Sequence, residues 1–343
     1  MMISDILQKI NMPMYSKALA CTESRKTCTN LAKCMNETHD AIYQSFRSPI
    51  ETGNAIKDEL LSLAKNELSG KTTCLIFDDS QLSKPYAKDI EGLDLGFDGC
   101  MGRAELGLQI ITALVTDGNI RLPINLIPYF SKQIAKRAYK TKSELAIGIT
   151  LFLRKSFNFA LLIADAHYST KTFMSFLSEI GQAFLMKFTC TRIVTIGEKT
   201  GQLRRILRLK KNEHFRSAQG SFDGLFYYFY VVKVKNGITC YFISLSEITK
   251  DDLIVLYRIR WNIELYHRTA KQYLGWKDCQ MRAIEKQELH TLYVMYAYFI
   301  AELIRVKCGF DSTESALRAL SDVKSSLRHD CKVAFRENFC YVA

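Results

Sequence analysis

The spacing of apolar residues changes several times along this chain, and each change predicts a different element. Residues 1–70 read as helical. Within them Leu31, Ala32 and Met35, a polar break around Asn36 and Thr38, and then Ala41, Ile42 and Phe46 predict two short helices joined by a tight turn. That pattern suits a helix-turn-helix and equally an ordinary helical hairpin packed on a larger body. From Thr72 the period shortens: TTCLIFDDS is an apolar, β-rich run that ends in Asp78 and Asp79. After a polar stretch at 81–104, two more β-rich runs flank Asp117-Gly118, a hairpin signal because both central residues of a type I′ turn need positive φ. An amphipathic helix follows at 143–157, with Ser143 as N-cap, and leads into FALLIADAHYS, a second buried strand that ends at Asp165. A helix, TKTFMSFLSEIG, and a strand, AFLMKF, complete the series. Strand, strand, strand, helix, strand, helix, strand predicts an α/β protein with a mixed sheet, and puts Asp78 and Asp165 at C-terminal strand ends, where ligand sites form in open sheets.

Residues 190–248 break the alternation. They read as a β-rich insertion with a hairpin around Asn236-Gly237. Nine Lys and Arg residues against two acids occupy 181–220, either a solvated surface or a phosphate-contacting one. A long helix then begins at Thr249, an N-cap followed by Asp251 and Asp252. Leu292–Ile304 is strongly apolar, yet it contains Glu302 and falls short of the roughly 20 apolar residues a membrane span needs, so a buried helix is expected. The resulting division is 1–70, a helical region; 71–190, the first part of the core; 191–248, the insertion; 249–310, core helices; and 311–343, a helical tail.

Composition narrows the partners. Lys+Arg 47 against Asp+Glu 35 gives +12 over 343 residues, which favours a polyanion through counterion release, while leaving a membrane surface or an acidic protein open. With 48% hydrophobic and 24% charged residues and only five prolines, the chain is globular, not disordered. The eleven cysteines are odd in number and form no C-x-x-C pair, and the first residues lack a secretory pattern, so reduced thiols in the cytoplasm are expected.

At about 100° per residue, Tyr257, Arg260, Glu264 and Lys271 fall within about 60° of arc on one helix face. This is either a salt-bridge ladder or a carboxylate metal ligand beside phosphate clamps. Two strand-end aspartates and a helix glutamate suit a hard divalent cation such as Mg²⁺, which takes few protein ligands. Two such ions about 3.5–4 Å apart would serve in-line phosphoryl transfer. Asp79 rivals Asp78, but adjacent strand residues face opposite ways, so only one can be the ligand. His167 reads as a general base or a helix-start polar residue, Trp261 as a base-stacking or a packing residue, and Lys84 and Lys88 as phosphate contacts or solvated loop residues.

The segment YRIRWNIELYHRTAK resembles the Y-x2-R-x3-E-x6-K signature of bacterial insertion-sequence DDE transposases of the cut-and-paste type, with Tyr257, Arg260, Glu264 and Lys271 in the four named places. FDDSQLSK resembles that family's first-aspartate strand, in the register that selects Asp78, and IADAHYS resembles the second, giving Asp165. Over roughly residues 70–310 the resemblance implies a ribonuclease-H-like core with an insertion between Asp165 and Glu264. It further implies that Asp78, Asp165 and Glu264 are catalytic and hold Mg²⁺, for which Mn²⁺ can substitute, and that Tyr257, Arg260 and Lys271 bind DNA phosphates. The implied partners are double-stranded DNA, as terminal inverted repeats and target, and a second copy in the DNA complex; the implied place is the bacterial cytoplasm, on the nucleoid. The alternatives are a stand-alone nuclease on the same core, which cuts without joining, and an inactive DNA-binding derivative of a transposase.

Overall fold

In the computed structural model, residues 3–99, 101–234 and 237–322 are described. Five helices open the chain: α1 (Ile3–Gln8), α2 (Met14–Cys21), α3 (Cys28–Met35), α4 (His39–Gln44) and α5 (Pro49–Leu68). The core follows as β1 (Thr73–Ser83), β2 (Asp94–Asp98), β3 (Arg103–Thr116), β4 (Arg121–Tyr129), α6 (Lys132–Ala135), α7 (Lys142–Arg154), β5 (Phe159–Ala164), α8 (Lys171–Glu179) and β6 (Phe184–Lys187). Next come β7 (Ile193–Ile196), β8 (Lys199–Gln202), α9 (Leu203–Ile206), β9 (Phe215–Phe222), β10 (Leu225–Lys233) and β11 (Thr239–Ser244). The described chain closes with α10 (Lys250–Ile259), α11 (Trp261–Gln272), α12 (Ile284–Cys308) and α13 (Thr313–Asp322). The tail expected over 311–343 is thus helical to Asp322, and its remainder lies outside the described residues.

One mixed sheet runs through the molecule. Strand β1 pairs antiparallel with β3 and parallel with β5, β5 runs parallel with β6, and β4 and β2 both pair with β3. This is a ribonuclease-H-like arrangement. Strands β11, β10, β9, β7 and β8 continue the same sheet, because β11 pairs antiparallel with β6. The β-rich stretch therefore extends the core sheet instead of standing apart from it.

Local chemistry differs from expectation in two places. The cap of α7 is Thr141, in a capping box with Glu144, while Ser143 is buried with its hydroxyl 2.6 Å from that of Thr170. The β3–β4 hairpin forms, but not through a type I′ turn: Asp117 keeps negative φ and its carboxylate accepts the N–H groups of Asn119 and Ile120, both at 2.9 Å. The turn with both residues at positive φ is Asp223-Gly224, φ 53° and 83°, which joins β9 to β10. The pair expected at Asn236-Gly237 lies between β10 and β11, with Asn236 outside the described residues.

Helices α3 and α4 are each capped by a threonine, Thr27 and Thr38, and are joined through left-handed Asn36. Their Leu31, Ala32, Met35 and Ile42 join the main hydrophobic core, and the neighbouring α2 and Ser45 are tied to it by hydrogen bonds. The Tyr15 hydroxyl lies 3.1 Å from His290 Nδ1, Ser16 donates to the Tyr293 carbonyl at 3.0 Å, and Tyr293 donates to the Ser45 carbonyl at 2.8 Å. All three contacts are with α12, whose residues from Leu289 to Ile304 are buried. Glu302 is tolerated there because Arg121 Nε reaches it at 2.7 Å, Arg305 at 2.8 Å and Thr313 at 2.7 Å. Burial pushes its carboxyl upward, but hydrogen bonds from Arg305 and Arg121 outweigh that and hold it below its usual range. Among the described residues no helix is long and apolar enough to cross a membrane, and the eight described cysteines are free thiols.

Candidate active site

Strand β1 does not end at its aspartates. It continues to Ser83, so Asp78 is mid-strand, held there by antiparallel pairing with β3 as far as Ser83 and Gly107. Its parallel neighbour does stop. Strand β5 ends at Ala164, which pairs with Phe77, so the next residues on the two strands are Asp78 and Asp165. Adjacency of the two acids follows from that register alone.

The third acid comes from the helices. The long helix expected from Thr249 starts as predicted, with the Thr249 hydroxyl capping the Asp252 N–H, but it is interrupted at Arg260 into α10 and α11. Helix α11 packs on β1 and β4 and carries Glu264. The Arg260 guanidinium spans the gap: Nη1 is 3.0 Å from Asp78 Oδ2, and Nη2 is 3.0 Å from Glu264 Oε1. Asp78 Oδ1 also accepts the Asp79 N–H at 2.9 Å. Burial pushes the Asp78 carboxyl up to about 7; Arg260 opposes the rise, while Asp165, Glu264 and Asp79 add to it. Asp165 Oδ1 accepts the His167 N–H at 2.8 Å, and the exposed His167 ring lies 3.7 Å from its other oxygen.

Asp79 faces elsewhere. Its Oδ2 accepts from Gln109 at 2.6 Å and from Lys142 at 3.0 Å, and the Lys142 ammonium sits 5.2 Å from the Tyr129 ring centre. Tyr257 packs edge-on against Phe242 at 4.7 Å, and burial pushes its phenol up to about 12. Its hydroxyl and Arg260 Nε are buried without a hydrogen-bond partner among the described residues. Lys271 lines a polar cleft with Arg25, Lys26, Asp278 and Arg318. Trp261 is 56% exposed on the rim of an apolar pocket bounded by Phe242, Leu253 and Tyr257. Lys84 is neither a phosphate contact nor a solvated residue: it is buried, and its ammonium donates to the carbonyls of Lys277 at 2.7 Å and Cys279 at 2.5 Å. Lys88 is exposed.

Reading the sequence missed Gln109, Lys142 and Tyr168. Tyr168 is fully buried against Phe77 and Phe173, with its hydroxyl unpartnered among the described residues. Burial first, then Asp79, Asp78 and Asp165, push that phenol well above its ordinary value, so it stays neutral beside the acids. Its place three residues after Asp165, at the end of a buried strand, was the available signal.

Three carboxylates, those of buried Asp78, Asp165 and Glu264, call for a cation, and their hard oxygens fit a divalent one. Arg260 already supplies positive charge to two of them. With the guanidinium between Asp78 and Glu264, no group of three His, Cys, Asp or Glu side chains among the described residues is arranged to hold an ion as it stands.

The model of the DDE superfamily endonucleases matches residues 7–200, and that of the transposase DDE domain matches residues 130–300. The chain belongs to the DDE superfamily endonucleases. Together the two matches identify it as a DDE transposase, a class that works with divalent metal ions. No curated protein matches it in sequence. Among solved structures it is similar in fold to the piggyBac transposase of a synaptic complex with hairpin DNA, with TM-score 0.53 and 12% identity over 96% of this chain and 75% of that one. The NurA nuclease from Sulfolobus solfataricus shares 8% identity over 64% of this chain and 85% of that one, at a TM-score of 0.30.

Proposed function

We propose that this DDE transposase binds double-stranded DNA, cuts the ends of a mobile element and joins them to target DNA, in the manner of bacterial insertion-sequence enzymes with the Y-R-E-K signature. The observation that carries this reading is the register of β1 on β5, which sets Asp78 beside Asp165 with Glu264 tied to Asp78 through Arg260. In this reading Asp78, Asp165 and Glu264 hold Mg²⁺ or Mn²⁺, which would activate the attacking oxygen and stabilise the leaving one. Arg260 grips a phosphate through its planar fork, Lys271 places a point charge on the backbone from its cleft, and Tyr257 buttresses Arg260, 5.6 Å from its ring centre.

The N-terminal helices supply end recognition in this reading, through exposed side chains of α3, α4 and their flanks such as Lys33 and Arg47. Two copies act together on the paired ends, on the nucleoid of a bacterial cell. The deciding experiment incubates the purified chain and Mg²⁺ or Mn²⁺ with DNA that carries the repeats flanking its reading frame. Products joined to a second DNA support the proposal. Cleavage without joining points to a nuclease, and binding without cleavage to an inactive derivative.

A further inference from the structure

The Arg260 guanidinium engages the same carboxylates that the proposed function assigns to the metal. Its Nη1 is 3.0 Å from Asp78 Oδ2 and its Nη2 is 3.0 Å from Glu264 Oε1, with only 14% of the Arg260 side chain exposed. The contact with Asp78 joins a core strand to a helix 182 residues away in sequence, while that with Glu264 is an i,i+4 pair, so the guanidinium bridges strand and helix and is not part of an exposed ladder along one helix face alone. A guanidinium seated between two carboxylates and a divalent cation bound by the same two compete for the same lone pairs and the same field. Both cannot be held at full strength.

A phosphodiester changes the competition. Its two unesterified oxygens match the guanidinium fork as well as a carboxylate does and carry a full negative charge. Arg260 stands at the interruption between α10 and α11, where its side chain is shared between a strand and a helix and not locked in one helical ladder.

We propose that Arg260 is a latch that couples the two ligands: it closes Asp78 and Glu264 against metal until a DNA phosphate draws it away. The latch rests on the proposed function, since it needs DNA at this site. Coupling of this kind is reciprocal, so DNA tightens metal binding by the factor by which metal tightens DNA binding. Metal would then be held strongly only where there is a strand to cut, and Arg260 becomes a positioning residue for the acids as well as a phosphate contact.

Direct Mn²⁺ binding tests this, followed by the paramagnetic resonance signal of free Mn²⁺ with and without a short DNA duplex of arbitrary sequence at low salt. For the unsubstituted chain, DNA should tighten Mn²⁺ binding roughly 10-fold or more, within the usual range of coupling between sites. Arg260→Ala should bind Mn²⁺ more tightly than the unsubstituted chain without DNA, and gain less when DNA is added. Arg260→Lys separates bridging from charge, because an ammonium keeps the charge but cannot span both acids; the latch predicts behaviour close to Arg260→Ala. Should Arg260→Ala unfold, Arg260→Gln replaces it. If Arg260→Lys keeps the weak DNA-free binding and the full DNA response of the unsubstituted chain, charge alone is at work and the latch is wrong. If DNA fails to bind at all, the proposed function fails, and the DNA-free comparison with Arg260→Lys still decides whether Arg260 closes the acids.

Discussion

Lys142 donates to Asp79 at 3.0 Å on the face of β1 turned away from Asp78, so two consecutive aspartates serve different neighbourhoods. Substituting them should separate stability from chemistry. Asp79→Ala strands Lys142 and Gln109 and should cost about 1–3 kcal/mol of stability, the scale of a lost charged hydrogen bond, while the folded protein still cleaves. Asp78→Ala, Asp165→Ala and Glu264→Ala should abolish cleavage and leave DNA binding largely intact, because phosphate contacts carry most of the affinity. Urea unfolding and DNA cleavage on the same preparations check both. An essential Asp79 with a dispensable Asp78 would reverse the proposed register.

Arg260 and Lys271 should differ in how they fail. Arg260→Lys loses the fork that fits phosphate and should lower cleavage about 10-fold or more, the rate equivalent of about 1.4 kcal/mol. Lys271→Ala, in its polar cleft, should reduce the slope of log affinity against log salt by about 0.9, one phosphate contact. An unchanged slope removes Lys271 from the DNA path.

Acid should weaken the fold through two histidines. His267, beside Tyr266 and Trp276, and His290, bonded to Tyr15 and to the Gly275 carbonyl, are both pushed down to about 3 by burial. Their folded values lie below the ordinary value near 6.5, so the unfolded chain takes up protons first. The stability each contributes is complete above about pH 6.5 and is lost as pH falls toward 3, by up to about 1.4 kcal/mol per pH unit. Asp78, raised to about 7, acts in the opposite sense, so the informative quantity is the difference between the unsubstituted chain and His290→Gln in denaturant titrations at neutral and acid pH. Parallel pH profiles would show that His290 is not the source.

Removing the buried Glu302 carboxylate should be the costliest single change outside the site. Glu302→Ala leaves Arg121 and Arg305 without their shared partner, at an expected cost of about 3–5 kcal/mol. Adding Arg121→Leu should recover part of that loss. A double variant as unstable as the sum of the two singles would show that the pair is not coupled.

The periodic elements were legible in sequence because their signals are local. Leu75 to Phe77 and Leu161 to Ala164 read as buried strands, and Thr249 read as a cap. What escaped depends on partners far along the chain. Residues 80–83 look polar, yet pairing with β3 keeps them in β1. Lys84 looks solvated, but its ammonium finds carbonyls nearly two hundred residues away. Asp117-Gly118 and Asp223-Gly224 are alike as dipeptides; the loop of Asp117 closes through its own carboxylate, whereas Asp223 has a residue pair directly across the hairpin to join. The break at Arg260 had no marker either, since no Pro or Gly interrupts that helix, and the side chain that sits there is held by a strand the helix pattern cannot reveal.

The docking of Tyr15 on His290 also sets an order of events during synthesis. Helix α2 leaves the ribosome early, yet two of the helices it packs on, α12 and α13, come near the end of the described chain. At about 5–20 residues per second, α12 follows roughly 15–55 s later. During the interval α2 lacks those two partners, and Glu264 has not yet been translated for most of it. A chain stopped before α12 lacks a surface on which α2 packs, and limited proteolysis should cut it more readily than the full chain. The N-terminal helices are thus completed by the last large helix to be made, and the order of synthesis runs opposite to the order of packing.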